Sequence, residues 1–173
     1  MHLIIGPLYI LAAVIWGKWR NWKTYYPTIL FVIVWDLIYN CLLINYPMWQ
    51  FIPIGPEHVI LPVHTLICFY SMLTLYPAWI ILFLSHFPQQ NRFWRRAGYI
   101  ILVAVILTVI EIFDHYLFHS ISYYHHWNIG WSFILDLLMF LMISVHFRHP
   151  LAALMLSAVS LLGFLWIFQV PII

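Results

Sequence analysis

The chain has 173 residues, of which 65% are hydrophobic and 7% charged, with a formal net charge of +2. A soluble domain carries roughly a quarter charged residues, so this composition excludes a water-facing globule and leaves an integral membrane protein. No helix-turn-helix, zinc finger or glycine-rich phosphate loop is present, so nucleic acid has no support as a partner and membrane lipids are the expected one.

Six apolar segments follow in chain order: 3–17, 27–45, 59–84, 97–118, 130–147 and 151–171. Most approach the roughly 20 residues that span hydrocarbon as a helix. Only helices and closed barrels satisfy the backbone in lipid, and these runs are too long and too continuously apolar for barrel strands. The expected fold is all-α: one polytopic transmembrane helical bundle of six helices over 1–173. The first segment lacks a basic stretch and a small-residue cleavage site before Lys18, so it reads as a retained helix. Pro62 and Pro77 are candidate breaks in the third. Cys41 and Cys68 stand singly in apolar runs and read as buried, inert thiols.

The linkers carry the sidedness. All seven lysines and arginines (Lys18, Arg20, Lys23, Arg92, Arg95, Arg96, Arg148) fall in three of them. With six spans, those three share one side. Short-loop cations stay cytoplasmic, which puts both termini and the 46–58 and 119–129 loops outside. Trp19 and Trp22 at the inner junctions, and Trp127 and Trp131 at the outer ones, read as membrane anchors. His146 and His149 read as inner-interface residues beside Arg148. No GxxxG pair marks a helix interface, so a homo-oligomer or membrane-protein partner has no dedicated signal.

The outer half holds the unusual residues. Asp36 and Asn40 (second segment), His64 (third), Glu111, Asp114 and His115 (fourth) and Asp136 (fifth) fall roughly 5–14 Å below the outer boundary at 1.5 Å per residue. Glu111, Asp114 and His115 span an arc of about 100° on one helix face. A carboxylate in hydrocarbon costs about 2.5–3.5 kcal/mol on insertion scales. It needs a partner or a proton, yet every Lys and Arg is assigned to the other side.

A divalent metal (zinc, iron or manganese) would answer that shortage, since these ions take mixed His and carboxylate ligands. Glu111, His115 and His119 form E-x3-H-x3-H, and His64 and Asp136 complete a candidate set. Asp36, Asn40 and Asp114 read as its supporting polar network. A purely structural hydrogen-bond network is the competing reading. His125 and His126 in the adjacent loop, and Glu57 and His58 at the entrance to the third segment, are alternative ligands; for His119, His125 and His126, ordinary boundary residues also suffice.

The segment from Lys18 to Asn40 contains W-x2-W-x2-YYPT (Trp19, Trp22, Tyr25, Tyr26, Pro27, Thr28), then Asp36, Tyr39 and Asn40. With the later Glu111, Asp114 and His115, it resembles a family of small, uncharacterised multi-pass membrane proteins of spore-forming Firmicutes. The resemblance implies a bacterial cell membrane or spore membrane and leaves the mechanism open.

Three functions fit. The first is an accessory or structural membrane protein with an outward-facing His/carboxylate site for a divalent metal. The second is a metal-dependent outer-leaflet lipid or lipid-phosphate hydrolase, with Glu111 and Asp136 as catalytic groups moving a proton. The third is a small ion or proton transporter, which the nearly wholly apolar inner halves of the second to fourth segments disfavour.

Overall fold

Apolar runs bounded by proline, asparagine and short polar linkers become helices because lipid offers the backbone no other partner. The computed structural model describes residues 2–88 and 93–171; Arg92, one of the seven cations, lies outside them. The helices are α1 (His2–Trp16), α2 (Trp22–Leu42), α3 (Glu57–Ile60), α4 (His64–Leu73), α5 (Leu75–His86), α6 (Phe93–Tyr116), α7 (Ile129–His146) and α8 (Pro150–Ile167). Five stretches are long and apolar enough to cross a membrane, with α4 and α5 counted as one, and α1 is a shorter apolar helix.

The third segment is therefore two helices, which makes seven of ten residues or more among the described residues rather than six. The break falls at Thr74, one turn before the expected Pro77. Pro77 has no N–H for the Leu73 carbonyl four residues back. The helix ends there, restarts at Leu75, and holds Pro77 in the new first turn, where no donor is missed. Thr74 closes the end of α4, its amide at 3.0 Å and its hydroxyl at 2.7 Å from the Tyr70 carbonyl.

A second feature had no counterpart in the expected all-α fold. Strands β1 (Trp49–Phe51) and β2 (Ile121–Tyr123) pair antiparallel, with Gln50 opposite Ser122. The bonds Ile52 N to Ser120 O and Tyr124 N to Met48 O, both 2.8 Å, extend the ribbon. It joins the α2–α4 loop to the α6–α7 loop at one end of the bundle.

The helix ends sort into two sets. At one end, Lys18 N donates to Ser85 Oγ at 2.9 Å and Tyr99 Oη to Phe83 O at 3.3 Å, while Thr28 Oγ1 pairs with His146 Nδ1 at 3.0 Å. Every described lysine and arginine belongs to this end. The ribbon, the start of α1 and the end of α8 form the other, where Tyr46 Oη reaches Phe168 O at 3.5 Å.

Packing, not water exclusion, holds such helices together, because lipid is as apolar as leucine. Small residues lie at the closest approaches: Ala13, Ala78, Ala104 and Ala153 are buried. Around them Phe83, Phe140, Trp79 and Ile143 form the larger apolar cluster. Trp127, Phe168, Leu165 and Met48 form a second at the ribbon end. The outer surface stays apolar, with Leu8, Leu151, Met155 and Trp166 all more than half exposed. A face of this kind is covered by lipid.

Three expectations are corrected here. Trp127 is no surface anchor: it is buried, donates to Ser132 Oγ at 2.9 Å and packs on Phe168. The local cause is the α7 N-terminus, where Asn128 caps the amides of Gly130 and Trp131 and turns the preceding ring inward. Trp131 is half-buried against Phe164 and Phe168. His146 is a core residue, stacked on Phe31 with ring centroids 4.2 Å apart, because Thr28 supplies its polar partner. Cys41 is exposed on α2, and only Cys68 is buried. Trp19 and Trp22 are exposed at the cationic end.

Candidate functional site

Between the two apolar clusters lies a cavity of about 400 Å3. It falls within the range of roughly 300–1,000 Å3 typical of small-molecule sites. Residues of α1, α2, α4, α5, α6, α7 and α8 line it, and both clusters contribute to its wall. Asp36, Glu111, Asp114 and Asp136 all line it, as do Asn40 and His64. The structure thus brings the carboxylates of three helices to one space. No described lysine or arginine lines it.

These groups differ in how they are satisfied. Glu111 Oε1 accepts from Tyr123 Oη at 2.7 Å and from Ser132 Oγ at 2.6 Å. Trp127 Nε1 donates to the same serine, so β2, α6 and α7 share one network. Burial and the Glu111 carboxylate push the Tyr123 phenol up, which keeps it a donor. Asp136 is held more weakly. Thr108 Oγ1 lies 3.3 Å from Asp136 Oδ2 but also bonds the Ala104 carbonyl at 2.9 Å, and one hydroxyl proton serves both. Asn40 Nδ2 turns back to the Asp36 carbonyl at 2.8 Å, leaving the Asp36 carboxylate to others.

Among the described residues, five buried side-chain atoms have no hydrogen bond of good geometry: Trp35 Nε1, Asp36 Oδ2, Tyr39 Oη, Ser71 Oγ and Asp114 Oδ1. All five residues line the cavity. Buried polar atoms are nearly always paired, and an unpaired one costs about 1–3 kcal/mol. They come from α2, α4 and α6, so three helices bring unpaired polar groups to the residues around one cavity.

The histidines have other work. Phe51 N donates to His64 Nδ1 at 2.9 Å, so the ring proton sits on Nε2, which faces Cys68 Sγ at 3.4 Å. His115 Nδ1 lies 2.8 Å from the Ile121 carbonyl and therefore carries a proton. Its ring stacks on Tyr123 at 4.3 Å. Each ring thus covers one free edge of the ribbon, His64 on β1 and His115 on β2. His119 is exposed, with φ 52° at the end of α6. His125 and His126 are exposed, and His125 stacks on Tyr46 at 3.5 Å.

Among the described residues, no three His, Cys, Asp or Glu side chains converge as a metal-ligand set. The expected ligands His64, Glu111, His115, His119 and Asp136 are thus not gathered around one point. Both nitrogens of His64 are committed, Glu111 is bonded by two hydroxyls, and His119 lies on the outer surface.

Glu57, expected only as an alternative metal ligand, has a structural role instead. It is fully buried, its Oε1 accepts from Leu3 N at 3.0 Å, and its Oε2 accepts from Ile54 N at 3.1 Å. His2 Nδ1 lies 3.3 Å from the same Oε2. The carboxylate therefore caps α1, where an anion meets the unpaired amides and the positive end of the dipole. Burial raises this carboxyl, but hydrogen bonding outweighs it and holds it at about 2, with the Leu3 and Ile54 amides and His2 among the donors. The signal available was an acidic residue directly after the glycine–proline pair of IGPEH.

No family model, curated protein or solved structure matches the chain significantly.

Proposed function

We propose that this is a multi-pass membrane protein that holds a small molecule in its central cavity, in an accessory, binding role. The observation that carries it is the gathering of five unpaired buried polar atoms on the wall of one cavity of about 400 Å3. Apolar walls with a few fixed polar groups are the usual make-up of a small-molecule site. In this reading all six segments cross a bacterial cell membrane, of the vegetative cell or the spore. The cationic end faces the cytoplasm, and the ribbon, both chain ends and the cavity mouth lie outward.

The hydrolase reading is less well supported. Glu111 is engaged by Tyr123 and Ser132, and the candidate metal ligands do not converge. Transport is favoured by one observation. Ser71, Leu75 and Tyr76, which flank the break at Thr74, line the cavity, and interrupted spanning helices are where carriers bind their cargo.

Native mass spectrometry of the detergent-released protein tests the binding reading. The wild-type chain is expected to carry one small-molecule adduct. Ser160→Phe, which fills the cavity from α8, is expected to lose it while keeping its helical circular dichroism. A wild-type spectrum at the polypeptide mass alone overturns the reading.

A further inference from the structure

The chemistry of the cavity wall restricts what the guest is. Four carboxylates line it, from α2, α6 and α7, with no described lysine or arginine among the lining residues. Among the described residues two of the four keep a buried oxygen with no hydrogen bond of good geometry: Asp36 Oδ2, whose carboxylate has the Tyr76 hydroxyl beside it, and Asp114 Oδ1. Asp114 is 8% exposed, and Ser71, whose hydroxyl also lacks a partner, is 3% exposed. An anionic guest would meet only like charge and a neutral hydrocarbon would leave every one of these atoms bare. Ionised carboxylate oxygens are acceptors only, so the missing partner is a donor, and in a site shielded from water a positively charged donor adds a coulombic attraction that a neutral one lacks.

The rest of the wall suits the same guest. Trp35, Tyr39, Trp49, Tyr76, Trp79 and Trp127 line the cavity. Ring faces attract cations, more so where water is excluded. Tyr39 stacks on Trp49 with centroids 4.4 Å apart, and Trp49 lies 5.0 Å from Trp127, which gives a continuous aromatic wall toward the ribbon. Tyr9 of α1 lines the cavity with Asp114 and Asp136, so the acidic positions of α6 and α7 face one neighbourhood.

We infer, on the ligand-holding reading above, that the guest is a lipophilic ammonium cation carrying N–H donors. Its N–H groups bond the free oxygens of Asp36 and Asp114, and its hydrocarbon body lies along the aromatic wall. Membrane depth favours the same class, because a lipophilic amine concentrates in the bilayer by its apolar body while its charge finds no other anion at that level.

The test is equilibrium dialysis with the full chain in lipid nanodiscs, empty nanodiscs serving as the blank. Three probes of similar shape are compared: protonated 1-adamantylamine, 1-adamantanol and 1-methyladamantane. The amine is expected to bind saturably, at one per chain, roughly tenfold or more tighter than the alcohol, with the hydrocarbon weakest. Asp36→Asn and Asp114→Asn are each expected to weaken the amine roughly tenfold and to leave the alcohol nearly unchanged. Asp136→Asn serves in place of either variant that fails to give a helical, monodisperse protein. If the alcohol or the hydrocarbon binds as tightly as the amine, the cation inference falls and the cavity reading stands. If none of the three binds, both fall.

Discussion

Glu57 and the cavity carboxylates are both buried acids without a described lysine or arginine at hand, yet the chain treats them in opposite ways. Glu57 opens the one-turn helix α3 and has donors on both oxygens, from Leu3, Ile54 and His2. Asp36 and Asp114 sit on helices, and each keeps one oxygen with no hydrogen bond of good geometry. Burial alone therefore does not distinguish a structural acid from a site. Completion of the hydrogen bonds does: a satisfied carboxylate holds elements together, and an unsatisfied one waits for something.

Removing the satisfied acid is the strongest way to probe this contrast. Glu57→Ala strands two backbone amides and an imidazole, and is expected to cost about 3 kcal/mol in denaturant unfolding of the detergent-solubilised protein. The pH dependence has a definite sign. The folded carboxyl is held near 2 against an ordinary value of 4.5, so its contribution is complete above about 4.5 and fades as pH falls toward 2. Glu57→Gln is expected to remove that part of the acid sensitivity.

Smaller effects sharpen the contrast from the other side. Tyr123→Phe removes one of two donors to Glu111 while Ser132 remains, and a loss of about 1 kcal/mol is expected in the same assay. Asp36→Asn, a change at an acid with an unpartnered oxygen, is expected to move unfolding by less than about 0.5 kcal/mol or to stabilise slightly, as at sites where function opposes stability. A loss as large as that of Glu57→Ala would erase the distinction between the two kinds of acid.

Several features were legible in the chain itself. The confinement of cations to three linkers foretold one cationic end, because lipid makes charge placement a strong constraint. The depth of Asp36, Glu111, Asp114 and Asp136 foretold that they share a layer, and the cavity unites them. What could not be read depends on partners distant in sequence. Glu57 meets Leu3 across 54 positions, and no local period encodes that. Strands of three residues, WQF and ISY, are too short to show the alternation that identifies a strand. His115 drew a metal reading from its spacing to Glu111 and His119, and His64 from its depth on a neighbouring segment. Only the ribbon, invisible beforehand, shows the edges that they cover. Pro77 was recognised as a breaker, but its effect falls a turn earlier, where the missing donor leaves its carbonyl.

The ribbon also imposes an order on assembly. Its two strands flank α4, α5 and α6, so β1 emerges from the ribosome and waits until two membrane-spanning stretches have been made. Pairing at such sequence separation forms late, after its loop-closure entropy has been met. Asp36 enters the bilayer with the first of these elements, while Asp114, Ser132 and Asp136 follow much later. For that interval the early helices hold an acid with half of its enclosure unbuilt. The ribbon closes only once Ile121–Tyr123 has been made, and it then ties the loop after α2 to an element built two spanning stretches later.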